Sequence, residues 1–145
     1  MNHEPFVIER TVNAPIDKVW KAISDKDEMK KWYFDIPEFQ PHVGAEFSFT
    51  GGPDDGVQYL HLCEVTEVIP EKKLTYSWRY DGYEGNSFVT FELFGEGEKT
   101  RLKLTHIGLE SFPQENKDFA ATNFEKGWDD IIHKNLRDYL EKVEA

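Results

Sequence analysis

The chain has 145 residues, enough for one domain with a proper core, and its 39% hydrophobic and 14% aromatic content match a folded globular protein rather than a disordered one. A formal net charge of −11 repels polyanions and anionic membrane surfaces, which argues against nucleic-acid binding. No run approaches the roughly 20 apolar residues of a membrane span, the start Met1-Asn2-His3-Glu4-Pro5 lacks the basic and apolar regions of an export signal, and the single cysteine, Cys63, has no internal disulfide partner, so the expectation is a cytoplasmic protein without membrane insertion.

Phe6 to Val12 alternates, with Phe6, Ile8 and Val12 on one side, and reads as a first strand. Pro15 opens a helix whose apolar stripe is Ile16, Val19, Trp20 and Ile23. Ser24 and Asp25 offer a second cap, with Glu28 placed to support another short helix that ends near Trp32-Tyr33-Phe34 and leads into Ile36-Pro37. Phe47 and Phe49 share one face of a short strand, and Gly51 to Gly56 is a strong turn signal. Tyr59 to Ile69 is a long strand of uncertain facing. Leu60 and Leu62 have one parity and Cys63 and Val65 the other, so a bulge switching the faces is expected. If Cys63 faces inward, Tyr59 and His61 follow it.

Leu74, Tyr76, Trp78 and Tyr80 alternate with Thr75, Ser77 and Arg79, the cleanest half-buried strand in the chain, with Arg79 outward. Val89, Phe91 and Leu93 alternate again, and Gly95-Glu96-Gly97 closes a hairpin onto Leu102, Leu104 and His106. The stretch Ile107 to Asp118 is irregular and could lie over a pocket mouth. From Phe119 to Val143 the residues Trp128, Ile131, Ile132, Leu136, Tyr139, Leu140 and Val143 recur at helical spacing, so one long amphipathic helix is expected. Gly127 beside Trp128 suggests a close approach to another element, since glycine in a helix costs about 1 kcal/mol against alanine. One helix covers less than the sheet offers, so a partly hollow interior between them is expected. Short connections demand antiparallel pairing, and helices segregated on one sheet define an α+β domain.

Ala14-Pro15 with Val19-Trp20 and then Trp32, Val65 to Pro70 with Leu74 to Trp78, Thr100 to His106, and Gly127-Trp128 together resemble the START-like (SRPBCC, helix-grip) superfamily. Within it they are similar to the branch typified by the C-terminal domain of the activator of the heat-shock-protein-90 ATPase. The resemblance spans nearly the whole chain and implies one START-like domain over residues 1–145, in which a curved antiparallel sheet of about six strands grips a long C-terminal helix over a cavity. Two short helices follow the first strand. No cofactor is expected.

Candidate cavity-lining residues are Trp32, Phe47, Phe49, Tyr76, Trp78, Phe91, His106, Phe124, Trp128 and Asn135. For each, plain core packing competes with ligand contact. His106 is either a satisfied core histidine or a donor to a ligand, and Asn135, on the apolar side of the last helix, needs a polar partner or a wet cavity. No metal-ligand spacing among the five histidines, no nucleophile elbow and no phosphate-cradling loop stands out, so no catalytic or metal residue is assigned. Cys63 with His61 or His106 reads as a buried thiol rather than an activated pair. The function expected is binding of a small apolar or amphipathic molecule. A chaperone-ATPase-modulating module, with the chaperone as protein partner, and a cyclase or hydrolase using the same cavity are the alternatives. The resemblance implies a further N-terminal domain in eukaryotic chaperone activators, and for a chain of 145 residues a full co-chaperone role is not expected.

Overall fold

In the computed structural model, residues 6–33, 36, 39–51, 58–113 and 121–142 are described. Strand β1 (Phe6–Val12) is followed by α1 (Ile16–Ser24) and α2 (Lys26–Trp32), then by β2 (Glu46–Gly51), β3 (Tyr59–Ile69), β4 (Lys73–Tyr80), β5 (Ser87–Glu96) and β6 (Lys99–Ile107). A 3-10 turn at Leu109–Ser111 precedes a terminal helical stretch of α3 (Ala121–Asp130), a π-helical segment (Ile131–Leu136) and α4 (Arg137–Lys142). Phe34, Pro37, most of the Gly51 to Gly56 turn, residues 114–120 and Val143 lie outside the described residues. The result is the expected α+β, helix-grip arrangement.

The six strands form one antiparallel sheet in the order β1-β6-β5-β4-β3-β2. Consecutive strands from β2 to β6 are neighbours, as short connections require. The first strand returns to the far edge, with Phe6 opposite His106 and Val12 opposite Thr100. The turn between β5 and β6 needs a left-handed residue, and Gly97 supplies it at φ 72°. At the other end of that hairpin Gly108, at φ 88°, brings its backbone so close that an added Cβ would lie 2.7 Å from the Asn86 carbonyl oxygen. Ser111 fastens this junction: its hydroxyl accepts from the Asn86 N–H at 2.8 Å and lies 2.7 Å from the Asn86 and Gly108 carbonyls.

Along β3 the inward face is odd-numbered: Tyr59, His61, Cys63 and Val65 are buried, while Leu60 is exposed and Leu62 half-buried on the outer face. The expected bulge exists but falls later, between Val65 and Glu67, so the face does not switch among Leu60 to Val65. Trp20 is half-buried against the core rather than inside it. Asp25 caps α2 by accepting from the Asp27 N–H at 2.9 Å. Glu28 lies in the first turn of α2, and its carboxylate accepts the Tyr139 hydroxyl, tying α4 to α2.

The terminal stretch departs most from simple periodicity. Its buried side chains are Phe124, Trp128, Ile132, Leu136 and Leu140, a strict four-residue repeat. In an α-helix four residues overshoot one turn by about 40°, so such a repeat would drift off the core within two steps. The π-helical turn, with its i→i+5 bonding, takes up more residues per turn and cancels the drift. It also moves Asn135 off the inner face. Asn135 is exposed and Leu136, at 0% exposure, takes the inward place. The close approach expected at Gly127 is absent too: among the described residues nothing lies within 4 Å of where its Cβ would sit.

Three variants test this register by denaturant unfolding. Leu136→Ala is expected to lose about 2–5 kcal/mol, Asn135→Ala to stay within about 0.5 kcal/mol of the parent, and Gly127→Ala to gain up to about 1 kcal/mol. A larger loss at Asn135 than at Leu136 contradicts the observed register.

Candidate functional site

The inner face of β2 to β5 is an aromatic wall because inward positions at period two carry rings: Phe47 and Phe49 on β2, Tyr59 and His61 on β3, Tyr76, Trp78 and Tyr80 on β4, and Phe91 on β5. Among the described residues the buried positions of these four strands include no Asp, Glu, Lys or Arg. The rings meet directly. Phe47 packs edge-on to Tyr76 at 5.2 Å, Phe49 to Trp78 at 5.7 Å, and His61 stacks on Phe49 at 4.4 Å. From the helix, Trp128 reaches Trp78 at 5.5 Å and Phe91 at 6.3 Å, and Phe124 meets His106 at 5.4 Å. Such offset and edge-on pairs each contribute about 0.5–1.5 kcal/mol beyond burial.

Of the residues singled out from sequence, Trp32, Phe47, Phe49, Tyr76, Trp78, Phe91, His106, Phe124 and Trp128 are all buried. Trp32 joins through Tyr33, whose ring stacks on Trp32 at 5.1 Å and on Trp128 at 6.1 Å. Its own indole N–H donates to the Ala22 carbonyl at 2.9 Å, tying α2 to α1. Asn135 stands apart on the solvent side. Where Trp128 crosses the sheet, its ring meets those of Trp78 and Phe91 directly.

Buried polar atoms at the crossing form a directed chain. The Trp128 indole N–H, which can only donate, donates to His106 Nδ1 at 3.0 Å. That nitrogen is therefore bare, and the neutral ring carries its proton on Nε2, which donates to Ser87 Oγ at 2.8 Å. The Ser87 hydroxyl passes its own proton to the Trp78 carbonyl at 2.7 Å. Each member is satisfied, so His106 is a positioning residue for Trp128 rather than a free acid or base. Burial drives its pKa from 6.5 down to about 3. His61, which donates from Nδ1 to the Tyr59 carbonyl at 3.0 Å, is lowered by burial to about 4. Burial likewise pushes the Cys63 thiol and the Tyr76 and Tyr80 phenols well up, so Cys63 is no thiolate nucleophile.

Two features lay outside the sequence reading. Tyr33 is half-buried with its hydroxyl end inside, 2.7 Å from the Tyr76 hydroxyl, and burial raises its pKa strongly. Arg10 faces inward between Ile8 and Val12, and one of its terminal N–H groups donates to His133 Nδ1 at 3.2 Å. The signal for Arg10 was its parity with Ile8 and Val12. For Tyr33, at the end of α2, there was none beyond its aromatic neighbours.

A groove of about 480 Å³ lies on the opposite, outer face of the sheet, among Glu46, Ser48, Leu62, Glu64, Ser77 and Arg79. It opens where the Glu64 N–H donates to Ser77 Oγ at 3.0 Å. Glu46 directly faces Glu64 in register, so its lining is polar and charged, unlike the inner face. Among the described residues no group of three or more His, Cys, Asp and Glu comes together to hold a metal, and no helix is long and apolar enough to cross a membrane.

Residues 13–141 match the family model described as activator of Hsp90 ATPase homolog 1-like protein. Among solved structures the fold is similar to that of Mll3558 from Rhizobium loti, at 24% identity and a TM-score of 0.81 over 96% of this chain and 98% of that one. It is similar to MLL2253 from Mesorhizobium loti, at 26% identity and a TM-score of 0.79 over the same shares of both chains. DynU16, a putative protein in the dynemicin biosynthetic locus, is 25% identical with a TM-score of 0.76 over 97% of this chain and 48% of that one. No curated protein matches the sequence.

Buried neutral histidines make stability pH-dependent. Unfolding lets His106 and His61 return to about 6.5 from folded values of about 3 and about 4, so the unfolded chain binds more protons between those limits. Their contribution is complete above the unfolded value and is lost as pH falls toward the folded ones. Stability against denaturant is expected to fall as pH drops from about 7 to about 5, by up to about 1.4 kcal/mol per pH unit for each histidine, with a shallower slope in His61→Phe. A flat profile over that range contradicts the assignment.

Proposed function

The chain belongs to the activator of Hsp90 ATPase homolog 1-like family, in the START-like superfamily, and from that premise we propose that it binds a small apolar or amphipathic molecule between its C-terminal helix and the inner face of its sheet. The observation that carries this reading is the wall of buried rings on β2 to β5, crossed by Trp128 and tipped with neutral hydroxyl, thiol and imidazole groups. Apolar walls with a few placed polar groups are what small-molecule sites are made of. Because rings meet at Trp128, the molecule enters beside it, on the side where Tyr33 reaches the surface. His106 and Cys63, held neutral and enclosed, favour binding over turnover. A cytoplasmic location belongs to the same reading, on the lone buried thiol.

A second reading, modulation of a chaperone ATPase through a protein contact, is supported by the family's description alone. A steady ATPase rate of the host chaperone at saturating protein rejects it.

The binding reading is tested by titrating the uncharged probe N-phenyl-1-naphthylamine and following its emission together with quenching of tryptophan fluorescence. Saturable binding near one molecule per chain is expected, weakened several-fold in Trp128→Ala. A linear, non-saturating response, as for partition onto a surface, contradicts it.

A further inference from the structure

Arg10 is the inner-face side chain whose bonding is incomplete. It stands on β1 between Ile8 and Val12, opposite the buried Leu102 of β6, and is half-buried there. A guanidinium keeps its charge at any pH at which proteins fold, and its N–H groups need acceptors once they leave water. Nη1 donates to His133 Nδ1 at 3.2 Å. Nε is closed off from solvent and has no hydrogen-bond partner, the one such side-chain nitrogen or oxygen among the described residues.

The chain's own acids do not complete it, although 28 Asp and Glu stand against 17 Lys and Arg. Arg101 pairs with Glu9 at 2.8 Å and Glu96 at 3.6 Å, and Arg137 with Asp138 at 2.9 Å, all at exposed positions where ion pairs contribute little. Arg10 meets an imidazole instead, which brings no negative charge. Asp129 is on the other side of that ring, 3.9 Å from His133 Nε2. What is left on Arg10 has a definite shape. With Nη1 on His133, the Nε–H and Nη2–H groups form the side-on edge of the guanidinium, two parallel donors that match two oxygens of a carboxylate or phosphate. Among the described residues no carboxylate occupies that edge. His133, the side chain that meets Arg10, belongs to the π-helical segment, and such turns are rare and often lie at functional sites.

We propose that the seam between β1 and the π-helical segment is an oxyanion site, in which the Nε–Nη2 edge of Arg10 holds a carboxylate or phosphate group and His133 gives way to admit it. The oxyanion is either a free anion or the head of an apolar molecule whose body lies between helix and sheet. Only the second source rests on the binding reading above. The site lies at the sheet edge, outside the uncharged wall of β2 to β5.

Proton–nitrogen NMR of the Arg10 Nε–H group, at constant ionic strength, tests this with three probes: inorganic phosphate, 2-naphthoate and the uncharged 2-ethylnaphthalene. A saturable downfield shift of the Nε proton is expected with an oxyanion and none with 2-ethylnaphthalene. Followed through the backbone amides of β1 and the π-helical segment, oxyanion affinity is expected to fall about tenfold or more in Arg10→Gln, and less in Arg10→Lys, which keeps the charge and loses the fork. Saturation by phosphate supports the site with a free anion as its source, and saturation by 2-naphthoate alone supports it with an amphipathic head. An Arg10 Nε–H signal that neither oxyanion moves overturns the site on the parent chain alone, with no variant needed. Equal oxyanion affinity in the parent and a folded Arg10→Gln overturns it too. Saturation by phosphate with no binding of either naphthalene overturns the binding reading and leaves the oxyanion site standing.

Discussion

The Trp128 indole N–H ends on His106, His106 on Ser87, and Ser87 on the backbone of Trp78, so the terminal helix, β6, β5 and β4 are joined by one line of buried hydrogen bonds. Hydrophobic burial alone is non-directional and would let the helix slide or rotate over the wall of rings. A buried polar chain is not so tolerant. Moving Trp128 by one residue leaves an imidazole nitrogen and an indole N–H unpaired in a dry interior, which costs more than the net gain of any single bond. The relay therefore fixes where the helix sits, and the strict repeat of Phe124, Trp128, Ile132, Leu136 and Leu140 follows from keeping that seat while covering the sheet. The π-helical turn is the geometric consequence, since a regular α-helix cannot hold that repeat on one face.

Around this seat the interior is neutral. His106, His61, Cys63, Tyr76 and Tyr80 are held in their uncharged forms by lack of water, and among the described residues the buried positions of β2 to β5 carry no charged side chain. Arg10 faces inward at the sheet edge, where it meets His133 of the π-helical segment. The outer groove around Glu46, Glu64 and Arg79 shows the contrast, with both signs of charge and open access to solvent. On the binding reading proposed above, the inner face would offer a ligand rings and neutral polar groups. The family's fold supplies the sheet and the helix, and the particular side chains on them are this chain's own.

Much of the architecture was readable from alternation. Leu74 to Tyr80, Val89 to Leu93 and Leu102 to His106 are half-buried strands whose period of two leaves little freedom, and they sit in the sheet where their parity puts them. Their rings, with those of Phe47 and Phe49, were legible as one inner face for the same reason. What escaped were features set by tertiary balance rather than local pattern. Asn135 falls on the apolar side of any regular helix through Trp128, and only the π-helical turn rotates it to solvent. The bulge in β3 belongs at Val65–Glu67, but Leu60 and Leu62 are apolar on the outer face and blurred its place. Gly127 resembles a packing glycine, yet among the described residues nothing lies within 4 Å of its Cβ position. Ser87 and Tyr33 matter through single hydroxyls whose partners are distant in sequence, and no periodicity announces such pairs.

The relay is tested most directly by hydrogen exchange at the Trp128 indole N–H, followed by NMR in deuterated buffer. If that proton is held inside by His106, it exchanges only on global unfolding, as slowly as the slowest core amides of β4 and β5, while the half-buried Trp20 indole exchanges fast. Complete exchange of the Trp128 indole within minutes, with the core amides still protected, would show that the helix is not seated through this bond and would contradict the account.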